Sequence, residues 1–106
     1  MKIKNVSDAD FNEVVNIQTG LVLVVFVTDW SGTCYIVETF LVSLAKRFQS
    51  EVVILKTDFE KNEKTVLDYA IQEVPTVLFF RKGELIDRIE GVFSKNEIDA
   101  RVQKHF

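Results

Sequence analysis

The stretch Trp30-Ser31-Gly32-Thr33-Cys34 holds the only cysteine of the chain, three residues after a serine. Two thiols at that spacing would serve thiol–disulfide exchange, in which one thiolate attacks a disulfide sulfur and a second thiol resolves the mixed disulfide. Ser31 can do neither. Its hydroxyl titrates far above neutral pH, and the one histidine, His105, lies at the other end of the chain in a helix expected to sit away from Ser31. A structural task suits Ser31 better: serine is a preferred helix N-cap, and its oxygen can accept the backbone N–H of Cys34.

Cys34 has two readings. It continues an apolar stripe with Val37 and Leu41, where a cysteine behaves as a small buried hydrophobe of little reactivity. It also lies within a turn of the positive end of a helix dipole, which favours a thiolate. In that second case it could form a mixed disulfide with glutathione or a protein thiol, but could not resolve it alone.

Regular elements must position this stretch. Leu21 to Val27 is an apolar run without alternation, as expected of a strand buried on both faces of a sheet. After Ser31 the period changes: Cys34, Val37, Leu41, Leu44 and Phe48 step by three or four, one face of a long helix ending near Gln49. Glu51 to Lys56 repeats the buried-strand pattern. Upstream, Lys2 to Val6 reads as a short strand, and Ser7 with Asp10 as a near capping box for a helix through Phe11, Val14, Val15 and Gln18, closed by Gly20. Downstream, Asn62 is placed to cap a helix carrying Val66, Leu67, Tyr69, Ala70 and Ile71, which Val74-Pro75 is expected to end. Thr76 to Arg81 and Leu85 to Glu90 flank Lys82-Gly83-Glu84 as an antiparallel hairpin. Ser94 and Glu97 form a capping box for a last helix through Ile98, Arg101, Val102 and His105. The order is that of an α/β fold with a central mixed β-sheet.

Composition bounds the function. At 47% hydrophobic and 27% charged, 106 residues suit one globular core. The net charge of −3 arises from intermixed signs, so no basic stripe is available for nucleic acid or an anionic membrane. A single cysteine excludes an intramolecular disulfide framework. One His and one Cys among scattered acids supply no four-ligand metal site, and no glycine-rich loop cradles phosphate, so neither metal nor cofactor is expected. The first residues lack the apolar stretch of a secretory signal, and the longest apolar run is too short to span a bilayer, so a cytoplasmic protein is expected.

The element order, Trp-x-Gly-x-Cys at the end of the central strand, Val74-Pro75-Thr76 before the hairpin, Lys82-Gly83-Glu84 within it and Gly91 after it together resemble the thioredoxin family over essentially the whole chain. The resemblance implies a single thioredoxin-like domain over 1–106, with helices on both faces of the sheet. In that family a Trp-Cys-Gly-Pro-Cys segment reduces protein disulfides and serves cell redox homeostasis, and the proline of the Val-Pro-Thr segment is cis and faces it. Carried over, Pro75 is cis, and Trp30, Gly32, Thr33, Val74, Pro75 and Gly91 line a groove for an extended protein or peptide segment. The acidic Asp29, Glu73 and Glu90 would crowd its rim, favouring a partner with some positive charge.

The departures bear on activity. Ser31 stands at the family's attacking cysteine, Thr33 at its proline, Val25 at its buried acid, Ile54 at a nearby lysine and Thr39 at the proline that kinks the long helix. Three readings stay open. One is a naturally altered protein that binds polypeptide, with any redox role confined to Cys34; another is a disulfide reductase in which Ser31 was introduced for cysteine; the third is a monothiol enzyme working by S-thiolation of Cys34. The coincident changes at Val25, Ile54, Thr33 and Thr39 favour natural loss over a single introduced replacement.

Overall fold

The computed structural model describes residues 3–105, with Ser50 described for its backbone only. Five strands form one sheet in the order β1-β3-β2-β4-β5. They are β1 (Lys4–Asn5), β2 (Leu21–Val27), β3 (Val52–Asp58), β4 (Thr76–Arg81) and β5 (Glu84–Glu90). β3 runs parallel to both β1 and β2, while β4 is antiparallel to β2 and to β5, so the sheet is mixed. The expected strand start at Lys2 lies outside the described residues.

The unbroken apolar run of β2 follows from its central position. Its odd residues, Leu21, Leu23, Val25 and Val27, enter one core with Cys34, Val37 and Leu41 of α2 (Gly32–Phe48) and Ile98 and Val102 of α4 (Lys95–Lys104). Its even residues, Val22, Val24 and Phe26, enter a second core with Phe11, Val14 and Val15 of α1 (Phe11–Ile17). Val66 of α3 (Glu63–Asp68), with Tyr69 and Ile71 after it, packs on this second side. Helices therefore cover both faces, and the alternation of side chains along a strand sorts one apolar run into two cores.

Several element ends differ from the sequence reading. Gly20 does not close α1, which ends when Gln18 turns extended at φ −75° and ψ 141°. At its start, Asp10 Oδ1 reaches back to the Ser7 N–H at 2.8 Å, but Asp10 offers no side-chain cap to the helix. α3 stops well before Pro75. Ala70 takes a left-handed φ of 53°, the Ala70 N–H bonds Leu67 O and the Ile71 N–H bonds Val66 O, a Schellman motif with alanine where glycine is usual. Arg88 donates to the freed Tyr69 and Ala70 carbonyls. Asn62 does not cap α3 with its side chain, which spans from the Asp8 N–H to Asp58 O. Asp8 caps instead, accepting from the N–H groups of Lys64 and Thr65 and from the Thr65 hydroxyl at 2.6 Å.

The hairpin between β4 and β5 turns on Lys82 and Gly83, both with positive φ, the combination that matches strand twist in a two-residue loop. α4 opens with the full Ser94–Glu97 capping box. His105 caps its far end, bonding Asp87 Oδ2 at 2.8 Å, while the same residue's carbonyl accepts from Arg81 at the last residue of β4. That is the end of the sheet opposite Thr76, so His105 is remote from Ser31.

Candidate functional site

β2 ends at Val27, and Thr28, Asp29 and Trp30 carry the chain over the edge of the sheet into α2. Ser31 is the N-cap, extended at φ −94° and ψ 118°, and its Oγ accepts the Cys34 N–H at 3.3 Å. A second bond of 2.9 Å joins the Ser31 and Thr33 hydroxyls. Gly32 and Thr33 are exposed, and a Cβ on Gly32 would meet nothing within 4 Å. Cys34 lies one residue on and has 0% of its surface exposed.

The surroundings of Cys34 are apolar. Val25, Val27, Val37, Ile54 and Val77 share its core, so the strand positions that could have carried an acid and a lysine here hold branched hydrocarbon. One ionisable pair on this layer joins Glu38, one turn past Cys34, to Lys56, in register with Val25; their side chains meet at 2.9 Å. Among the described residues no three His, Cys, Asp or Glu side chains are grouped to hold a metal ion. Among the described residues no helix is long and apolar enough to cross a membrane.

The rim is built by other strands. The Val74–Pro75 peptide is cis, Pro75 is buried, and Val74 is half-buried against both cores. Pro75 O accepts the Gly91 N–H at 2.8 Å, tying the start of β4 to the residue after β5. Gly91 has a φ of 85°, and a Cβ there would lie 3.1 Å from Glu73 Oε1, so the Glu73 carboxyl lies along its open side. Trp30, Pro75 and Gly91 thus stand at the same end of the sheet as the first turn of α2.

This chain matches the thioredoxin family profile over residues 2–104. The chain belongs to the thioredoxin family. It is 33% identical over 105 residues to a thioredoxin of Staphylococcus haemolyticus. Identity is 32% over the same length to thioredoxins of Staphylococcus saprophyticus and Staphylococcus aureus. Each alignment covers 99% of both chains. Within this thioredoxin fold, one cysteine in place of a pair leaves no second thiol to resolve a mixed disulfide.

Some of this thioredoxin-family site was not read from sequence. Trp30 keeps 74% of its surface exposed while its Nε1–H donates to Glu60 Oε1 at 3.0 Å. Tyr35, Ile36 and Val92 are also large and exposed. The signal for Tyr35 and Ile36 was present, since both fall off the Cys34-Val37-Leu41 stripe. Glu90, expected among the rim acids, is paired with Arg88 at 3.1 Å.

Proposed function

We propose that this thioredoxin-family domain, residues 1–106, works by holding a protein or peptide segment in the groove beside Pro75, without ordinary dithiol–disulfide reductase activity. The observation that carries the reading is the contrast between a fully buried Cys34 under a serine-capped turn and the exposed Trp30, Gly32 and Thr33 at the same end of the sheet as the half-buried Val74 and Gly91. Backbone beside a proline that has no N–H to donate, next to exposed aromatic surface, suits an extended segment laid along it. S-thiolation of Cys34 by glutathione or a protein thiol would need the sulfur to reach solvent, so its burial favours binding over the monothiol route.

Trp30 is the only tryptophan, which makes its fluorescence a local reporter. Titration with a reduced, carboxymethylated unfolded protein should shift that emission saturably, while the domain should not accelerate reduction of a disulfide-bonded peptide by dithiothreitol. Unchanged emission would overturn the binding reading; catalysed reduction would overturn the loss of redox activity.

A second reading, a disulfide oxidoreductase in which Ser31 replaces the attacking cysteine, is favoured by one observation: Ser31 Oγ already points at the Cys34 backbone from the N-cap position. Ser31→Cys would place two sulfurs three residues apart on one helical turn, within the reach of a disulfide. Mild oxidation of that variant should remove two hydrogens by mass. A variant that stays reduced would show that the turn no longer accommodates the bond.

A further inference from the structure

The parallel strands β2 and β3 finish, and β4 begins, at one end of the sheet. There Trp30, Tyr35, Ile36 and Val92 present apolar surface to solvent. Asp29, Asp58, Glu60 and Glu73 follow the same strand ends or precede β4. Among the described residues, none of these four carboxylates pairs with a cation: Asp58 accepts the Glu60 N–H, Glu60 accepts the Trp30 indole, and Glu73 lies along Gly91. Glu38 and Glu90, by contrast, are held by Lys56 and Arg88. An apolar surface edged by carboxylates that lack a counter-cation attracts a cation-bearing partner without first breaking an existing ion pair.

We propose that this rim selects an extended peptide segment whose apolar side chains are flanked by lysine or arginine. The proposal rests on the peptide-binding reading above and adds the charge of the partner. Apolar side chains cover Trp30 and Tyr35, whose rings also favour an ammonium or guanidinium over their faces, and the flanking cations reach Asp29 and Glu73. A second copy of this chain fits poorly, because a two-fold interface would set the same carboxylates against each other.

The test uses two labelled peptides with the same leucine, valine and phenylalanine centre, one flanked by lysines and its twin by glutamates. Binding is read by fluorescence anisotropy at about 50 mM and about 500 mM salt, for the native chain and for the double variant Asp29→Asn, Glu73→Gln. The lysine peptide should bind about tenfold more tightly at low salt, and the double variant and high salt should each shrink that preference to about twofold. Equal binding of the twins would overturn the charge selection and leave the peptide-binding reading standing. An undiminished preference in the double variant would also overturn it, assigning the attraction to the net charge of the whole chain. Binding of neither peptide would overturn both readings, and self-association through this face in sedimentation would make the occupant a second copy instead.

Discussion

Cys34 and Trp30 are four residues apart in one helical entry, yet the sulfur has 0% of its surface exposed and the indole 74%. Cys34 falls on the apolar stripe of α2 and faces β2 and β3, whose side chains on that layer are Val25, Val27 and Ile54. Trp30 precedes the helix, projects past the strand ends and is fixed by a single bond to Glu60. The floor of the site is therefore sealed by packing and the rim is open to solvent. Between them stands Ser31, whose hydroxyl caps α2 where thiol–disulfide exchange would need a second sulfur.

The largest effect that could break this contrast is reactivity of Cys34 in the native state. Its alkylation by iodoacetamide should be about a thousandfold slower in native protein than in protein unfolded by urea, because modification must wait for opening of the core. Mass spectrometry of timed samples reads this directly. Comparable rates would mean that the first turn of α2 opens readily and that the floor is accessible.

Polarity of the floor can be probed next. Val25→Asp would bury a carboxyl in the core shared by Val27, Ile54 and Cys34, where Lys56, in register with Val25, is already engaged by Glu38. The expected loss of stability is about 3 kcal/mol or more, measured by urea denaturation at neutral pH. A variant as stable as the parent would show that water or Lys56 reaches Val25, and the floor would have to be redrawn as polar.

The cap that joins floor to rim carries a smaller effect. Ser31→Ala removes the acceptor for the Cys34 N–H and should cost about 1 kcal/mol, with a modest rise in the native alkylation rate of Cys34. No change in either would show that the Thr33 hydroxyl, already 2.9 Å from Ser31 Oγ, takes over the role.

What could be read from the sequence follows the range of the interactions. The Ser31 cap, the Ser94–Glu97 box and the Lys82-Gly83 turn each depend on residues within three positions of one another, so spacing alone reveals them. The two cores were implicit in the buried run of β2, although only the strand pairing shows which side each residue takes. The end of α3 was misread because Ala70 occupies a left-handed conformation that composition assigns to glycine. The partner of Glu90 is Arg88, two residues away along the same strand, where alternation brings both to one face once the strand is known. Tyr35 and Ile36 were visible as residues off the stripe, but only the strand ends show that nothing covers them.

The start of α3 was hidden for a different reason: its capping group, Asp8, is more than fifty residues away in sequence. This cap also belongs to the opposite face of the sheet from Cys34, so it tests whether the sealed floor depends on the other core. The Thr65 hydroxyl bond, with the N–H bonds of Thr65 and Lys64, holds the Asp8 carboxyl below its ordinary pKa. A depressed folded-state pKa contributes stability that is present above the unfolded value near 3.9 and is lost as pH falls through the lower folded value. Asp8→Asn should therefore lower Tm at pH 7 by less than Ser31→Ala does, since solvent screens the charge, and the deficit should shrink as the parent is titrated below about pH 4. Cys34 should stay as slow to alkylate at pH 7 as in the parent. A deficit that persists unchanged into acid would mean that the amide loses geometry rather than charge, and a released Cys34 would mean that the two faces open together, so that the floor is sealed by the whole sheet and not by α2 alone.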